Sequence, residues 1–452
     1  MEDNLIIGLL GLVALVALIA IRIPIAYAMI LVGGVGVTIL NGPAIFMNQL
    51  KDLAFAQFSI YDLSVVPMFI LMGALATRAG LSRDLFRAAN AWLGGMRGGV
   101  AMSAIAACAG FGAVCGSSLA TASTMGQVAL PELRRYKYGG ALATGTLAAG
   151  GVLGILIPPS IVLVIYAIIV EANIITMFMA ALIPGLMAVF LFLLTIVLYV
   201  MVKPDAGPKG VAADRRELID SSVRVLPVLV IFGLVIGGIY FGFFNPTPAA
   251  AVGVVLVAAY GVGRGLVRLV ELKHALLETA RTTGMIYLIL LGAEMLKIFM
   301  SRGGAPQAMA EWMVNSGLPA MTILAILLIA LILLGCLMDS LSMILLAIPF
   351  FWPVLIGING GDYVSAADAA FGMNNEDLKI WFGILALIVV ELGLITPPVG
   401  MNVFVISAMA HDVPMKQTFI GVAPFFLAEL VRVVILIAFP ALTLWLPRLL
   451  GN

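Results

Sequence analysis

Charge is scarce in this chain. Only 10% of its 452 residues are Asp, Glu, Lys or Arg, against 63% hydrophobic ones, whereas an ordinary soluble domain carries about 25% charged residues. That shortage excludes an ordinary soluble protein and points to a chain embedded in a lipid bilayer. The net charge is +1 and no sustained basic patch occurs, which excludes a nucleic-acid partner. Cysteine is nearly absent. Cys108, Cys115 and Cys336 all lie in apolar segments, leaving neither a disulfide framework nor a zinc site. Histidine is rarer still: His274 and His411 fall in expected loops or surface helices, which removes most histidine-based catalysis and most metal chemistry. The first apolar run, 5–21, follows Glu2 and Asp3 rather than Lys or Arg, and leads through Arg22 and Pro24 into another. It is therefore expected to be a retained first span rather than a cleaved signal peptide.

What the chain has instead is apolar length. Segments near 5–21, 24–41, 62–79, 139–170 and 174–201 in the first half, and 225–242, 246–263, 282–300, 380–410 and 420–447 in the second, approach or exceed the roughly 20 residues a membrane helix needs. Two more stretches, 98–132 and 319–356, are interrupted by glycine and serine. Each is expected to be a re-entrant hairpin, a geometry tolerated only where protein or a water-filled cavity surrounds the backbone. With the N-terminus on the periplasmic face, the inner face receives Arg22, Arg78, Arg83, Arg87, Arg97, Arg134, Arg135, Lys137 and most other cations, and the outer face only Lys51, Arg302, Lys379 and Arg448. This bias fits the positive-inside rule, and counting either hairpin as one crossing would weaken it.

The polar, Pro/Gly-rich segment 203–224 divides the chain almost in half. It reads as a cytoplasmic linker between a first repeat, 1–202, and a second, 225–452. Each half holds five crossings and one hairpin, so the second half must be inserted upside down. Spacing agrees: at an offset of 222, Pro24 falls on Pro246, Ser118 on Ser340 and Pro131 on Pro353, while the Pro-Pro pairs are 239 apart because an acidic loop, 358–377, lengthens the second half. Inverted repeats are a hallmark of secondary transporters, with the site at the repeat interface. Between the spans, 82–97 places Leu85, Phe86, Ala89, Trp92, Leu93 and Met96 on one helical face and Arg83, Asp84, Arg87 and Asn90 on the other. Together with 265–281 it reads as an amphipathic helix in the interface plane, either a plain connector or part of a frame bracing a moving unit.

Four small-residue stretches are candidates for the chemistry. Two are hairpin tips, holding Gly116, Ser117, Ser118 and Thr121 in the first and Asp339, Ser340 and Ser342 in the second. Two are breaks in otherwise apolar helices, holding Gly154, Pro158, Pro159 and Ser160 in the first half and Gly393, Thr396, Pro397, Pro398, Gly400 and Asn402 in the second. Proline lacks an N–H and clashes with the preceding turn. A broken helix therefore bares amide donors at one half-helix start and carbonyl acceptors at the other half's end. The carbonyls and hydroxyls suit a small hard cation such as Na⁺, and the amides suit a carboxylate. The same small residues also serve close helix packing. Asp339 and Glu391 are in-membrane carboxylates, functional by default, yet each can equally be satisfied by neighbouring backbone amides. Glu294 and Lys297 have the spacing of an ion pair on one helix face, and Arg432 is expected to meet a protein contact or to snorkel.

At these motifs the chain resembles the large membrane subunit of TRAP transporters, the DctM type. The matching residues are Gly116-Ser-Ser-Leu-Ala-Thr121, Gly154-Ile-Leu-Ile-Pro-Pro-Ser160, Gly335-Cys-Leu-Met-Asp339 and Glu391-Leu-Gly-Leu-Ile-Thr-Pro-Pro-Val-Gly400. The resemblance covers essentially the whole chain. It implies an all-α inverted-repeat secondary transporter of the inner membrane, with about ten crossings, two re-entrant hairpins, two broken helices and interfacial arm helices. It further implies Na⁺-driven import of a small organic acid, such as a C4-dicarboxylate or sialic acid, by an elevator movement of the hairpin-bearing domain. A periplasmic binding protein (DctP-type) would deliver the substrate, and a separate small membrane subunit (DctQ-type) would complete the complex. A self-sufficient Na⁺/dicarboxylate carrier is the near alternative. An intramembrane aspartyl enzyme using Asp339 and a channel are distant ones.

Overall fold

The computed structural model describes residues 2–450, most of which are helical. The first half runs α1 (Glu2–Ala20), α2 (Ile25–Asn41), α3 (Pro43–Phe58), α4 (Val65–Arg78), α5 (Leu81–Leu93), α6 (Gly99–Cys115), α7 (Ser118–Arg135), α8 (Gly140–Leu156), α9 (Ile161–Ile169) and α10 (Ile174–Val202). The second runs α11 (Arg215–Tyr240), α12 (Pro246–Gly263), α13 (Leu269–Gly303), α14 (Ala305–Asn315), α15 (Ala320–Gly335), α16 (Ser340–Asn359), α17 (Asn375–Gly393), α18 (Met401–Met409), α19 (Met415–Ala438) and α20 (Ala441–Leu450). Helix starts carry their sequence signals: Ser117, Ser160, Asn173, Asp214, Asp339 and Asn374 each accept a hydrogen bond from an amide of the first turn, which satisfies donors the helix itself cannot.

The two halves pass through the same order of elements. In both, a helix–tip–helix pair (α6–α7, α15–α16) is followed by an interrupted helix (α8–α9, α17–α18). Packing is reciprocal: α2 lies on α13 and α12 on α4, while α8 lies on α19 and α17 on α10. Among the described residues, seven helices are long and apolar enough to cross a membrane, and the α8–α9 pair, bent by 47°, makes an eighth if it is one span. The apolar helices α1 and α2 are among the shorter ones.

Several boundaries differ from those read in the sequence. Residues 265–281 and 282–300 are not two helices: α13 runs unbroken for 35 residues, about 50 Å at 1.5 Å per residue against a hydrocarbon core of about 30 Å. A change from polar to apolar composition does not interrupt a helix when no proline or cap intervenes. Residues 215–224 are not linker but the first turns of α11, capped by Asp214. The expected span 420–447 is divided at Phe439-Pro440 into α19 and α20, because Pro440 has no N–H to continue the ladder. The short helix α14 was not anticipated, although the offset of 222 carries α5 onto it. On α5 itself the expected apolar face is divided, with Leu85 and Phe86 buried and Trp92 exposed. Asp84, expected on the polar face, is buried, where it meets Arg264 and the Tyr260 hydroxyl.

The segment between the halves is docked rather than loose. Gly98 N–H donates to Gly207 O (2.9 Å), Gly210 N–H to Gly94 O (3.0 Å) and Gly139 N–H to Ala206 O (2.9 Å), so it clasps the bases of α6 and α8. Arg87 adds a two-pronged bond to Glu217 at 2.8 and 2.9 Å, joining α5 to the start of α11. At the far end of α7, Arg134 bonds Asp412 in the turn before α19 and holds that carboxyl below its usual range.

Candidate functional site

The first tip is made by two residues. Gly116 takes a left-handed conformation (φ 63°) that ends α6, and Ser117 is extended and caps α7, its Oγ accepting from Ala120 N–H at 3.4 Å. A β-carbon at Gly116 would stand 2.9 Å from Pro159 O, so the tip rests on the first helix break. The second tip spans 336–339, where Asp339 caps α16: its Oδ2 accepts from Ser342 N–H at 3.1 Å and its Oδ1 from the Ser342 hydroxyl at 2.5 Å. Asp339 thus bonds to its own helix start.

Each tip is locked to its own broken helix by facing glycines. A β-carbon on Gly112 would come within 2.6 Å of Gly154 Cα, and one on Gly393 within 2.5 Å of Gly335 Cα. These two pairs hold equivalent places in the two halves. The sequence of each break explains its shape. The Pro158-Pro159 and Pro397-Pro398 bonds are both cis, and after them Ser160 caps α9 (accepting from Leu163 N–H, 3.3 Å) while Gly400, at φ 61°, starts α18. The breaks are not equivalent in exposure: 151–160 is buried throughout, whereas Pro397 and Pro398 are exposed.

The tips and breaks meet across the halves. Glu391, two residues before the second glycine lock, is fully buried. It accepts the Ser118 hydroxyl from one tip and the Ser340 hydroxyl, at 2.5 Å, from the other. Asn402 of α18 reaches α8, where its Nδ2 donates to Ala148 O at 3.4 Å. Its Oδ1 is buried with no partner, as is Thr121 Oγ1 on α7. Both orphaned side chains border the glycine stripe of α8: a β-carbon on Gly151 would lie 2.9 Å from Asn402 Nδ2, and one on Gly154 would lie 2.4 Å from Thr121 Oγ1.

In front of the tips is a cavity of about 520 Å³. Gly116, Ser117, Ser118, Asp339 and Ser340 line it on one side, and Thr77, Glu278 and Thr282 of α4 and α13 on the other. Of the remaining candidates, Thr121, Gly154, Ser160, Ser342, Gly393 and Asn402 lie buried behind this wall. Thr396, Pro397 and Pro398 do not line the cavity, and the Thr396 hydroxyl is committed to Leu392 O at 2.6 Å. Sequence reasoning missed Glu278, which it placed on an interfacial face. Its carboxylate pairs with Arg78 at 2.9 Å, and only the unbroken run of α13 carries it to the cavity. It also left Glu391 undecided, because nothing local tells of two hydroxyls arriving from 273 and 51 residues away. The expected ion pair forms, and Arg432 meets protein rather than snorkelling. Glu294 and Lys297 stand 3.5 Å apart on α13, and Arg432 is wholly buried against Glu429 and Pro184 O.

Comparison with known proteins agrees with this architecture. Residues 12–442 match the family described as the tripartite ATP-independent periplasmic transporter, DctM component. The C4-dicarboxylate TRAP transporter large permease protein DctM of Pseudomonas aeruginosa is 34% identical over 409 residues, 89% of this chain and 91% of that one. The sialic acid TRAP transporter large permease protein SiaM of Vibrio cholerae is 29% identical over 427 residues, 94% of this chain and 95% of that one. Among solved structures, the Alcanivorax borkumensis YdaH transporter superposes with a TM-score of 0.58 at 14% identity, covering 88% of this chain and 89% of that one, a likeness of fold.

Proposed function

The chain belongs to the DctM-component family of tripartite ATP-independent periplasmic transporters, and from that membership we propose that it imports a small organic acid across the inner membrane in symport with Na⁺. The substrate class is a C4-dicarboxylate, a sialic acid or a similar carboxylate, by analogy with the relatives named above. A periplasmic binding protein delivers it, and a separate small membrane subunit completes the complex. The N-terminus lies on the periplasmic face, as the cation distribution favours.

The observation that carries the Na⁺ assignment is the pair of orphaned oxygens. A buried polar atom without a partner costs about 1–3 kcal/mol, and two of them, Thr121 Oγ1 beside Gly154 and the Oδ1 of Asn402, whose Nδ2 lies beside Gly151, belong to side chains that border the glycine stripe of α8. Hard cations prefer oxygen donors of this kind. Side chains at Gly151 and Gly154 would fill the space beside them. The Ser117 hydroxyl and the helix starts of α7 and α16 then line the cavity where a carboxylate would bind, with amide donors and the positive helix ends suited to an anion, while the Ser118 and Ser340 hydroxyls are committed to Glu391. Carriage of substrate follows if the body bearing both tips slides as an elevator against α4 and α13, since the cavity lies between them.

Uptake into proteoliposomes loaded with K⁺, with the small subunit and binding protein supplied, tests the reading. Thr121→Ala and Asn402→Ala are each expected to raise the Na⁺ concentration for half-maximal uptake about tenfold, the equivalent of one ligand worth about 1.4 kcal/mol. Uptake that proceeds equally well in choline overturns Na⁺ symport. Uptake that is undiminished without the binding protein favours instead a self-sufficient carrier.

A further inference from the structure

Ser118 and Ser340 hold the same place in the two halves, 222 residues apart, each the first residue of the helix that leaves a tip. Both donate to one carboxylate, and to different oxygens of it: Ser118 Oγ to Glu391 Oε2 and Ser340 Oγ to Glu391 Oε1. Among the described residues no Lys, Arg or His forms an ion pair with Glu391, and the buried cation Arg432 is engaged by Glu429. When the halves are aligned on their Pro-Pro pairs, 239 residues apart, the position on α8 matching Glu391 is Val152, equally buried. One half supplies the acid, and both halves bond to it. A helix in this position packs well with valine, so packing alone does not account for the carboxylate. Burying a charged group is costly unless hydrogen bonds compensate, and here the compensation comes from the two tips together.

We propose that Glu391 is a positioning residue that ties the two hairpin tips into one unit, so that a ligand ordering either tip orders the other. The physics is ordinary linkage. Fixing a mobile tip costs conformational entropy; with a shared anchor, the second binding event meets a tip already fixed, and the coupling is reciprocal. On the Na⁺ reading above, and resting on it, the tie lets Na⁺ bound at Thr121 and Asn402, beside the first tip, order the second tip as well.

A native cysteine reports on each tip, Cys115 at the end of α6 directly before the first and Cys336 within the second, and fully buried Cys108 in α6 serves as an internal reference. The experiment measures N-ethylmaleimide modification rates at each cysteine, by mass spectrometry, on the full-length protein in lipid nanodiscs. Ser118→Ala is expected to speed modification of Cys336, in the opposite tip, as well as of Cys115, by a factor within the range of about 5–150 that couplings between sites span. Glu391→Met, matched in volume but unable to accept either hydroxyl, is expected to speed both, and adding Ser118→Ala to it to change Cys336 no further. If Ser118→Ala speeds Cys115 alone, the tips move independently and the tie is wrong. That arm leaves position 391 intact, so it decides the matter even where Glu391→Met fails to fold. A separate arm compares wild-type rates in Na⁺ and choline. Equal rates there count against Na⁺ binding at the tips, and the cross-tip result still stands on its own.

Discussion

Gly154→Ala is expected to lower uptake at least about tenfold while leaving the protein in the membrane at wild-type level. The added β-carbon would stand 2.4 Å from Thr121 Oγ1 and 2.6 Å from Ser117 O, both closer than non-bonded atoms approach. The first contact is with a short side chain and the second with backbone, so neither can swing away. The tip must back off α8 instead. Overpacking of this kind costs about 1–3 kcal/mol, small beside the stability of so large a buried core, which is why insertion should survive. The same strain falls wholly on the tip that carries Ser117, Ser118 and Thr121, and at about 1.4 kcal/mol per factor of ten it lands on the site. The second half supplies a built-in replicate: a β-carbon on Gly393 would lie 2.5 Å from Gly335 Cα, so Gly393→Ala should be at least as damaging. Gly284 on α13, with nothing within 4 Å of its would-be β-carbon, is the control, and Gly284→Ala should transport normally. Proteoliposome uptake normalised to reconstituted protein reads all three. Wild-type uptake by Gly154→Ala would show that the glycine lock is not what holds the tip.

These glycines also mark how far the sequence could be read. The two Pro-Pro breaks and the two tips were legible because their signals are local: proline forbids a helical hydrogen bond, and serine or aspartate at a helix start accepts an amide of its first turn. The order of elements in the two halves was legible from the 222-residue offset. What was not legible depends on atoms distant in sequence. The Gly112–Gly154 and Gly335–Gly393 contacts need the tip and break of each half already docked. The shared carboxylate of Glu391 needs both halves assembled. Trp92 shares the expected apolar face with Leu85 and Phe86, yet those two are buried and the indole is exposed with its N–H on Ser222 at 3.1 Å. Hydrophobic periodicity locates a helix's apolar stripe; it does not say whether protein or lipid covers it. Asp84 shows the converse, a carboxylate drawn inside because Arg264 and Tyr260 of the other half meet it there.

Arg432→Met and Glu429→Leu, made singly, are each expected to destabilise the protein by about 3–5 kcal/mol, the cost of leaving one member of a buried ion pair uncompensated. Both side chains are essentially inaccessible, at 0% and 1% exposure, so neither charge left behind can reach water. Arg432 also donates to Pro184 O at 3.0 Å, tying α19 to α10, while its Nε and Glu429 Oε1 have no partner. The pair is therefore imperfectly satisfied, and a partly satisfied buried pair contributes little net stability compared with well-packed apolar side chains. The double variant should accordingly recover most of the loss, and thermal unfolding in detergent of the four proteins measures it. A double variant as unstable as either single would mean that volume or the Pro184 contact, not the unpaired charge, sets the cost. The same four proteins separate structure from transport. α19 packs directly on α8, where Gly421 and Gly145 face each other so closely that a β-carbon on Gly421 would lie 1.8 Å from Ala141 O. If the ion pair only registers α19 on α10 and α8, the double variant regains uptake along with stability. If uptake stays lost while stability returns, the buried charges take part in the movement of the tip-bearing body, and their retention in so apolar a setting is then explained by function rather than by folding.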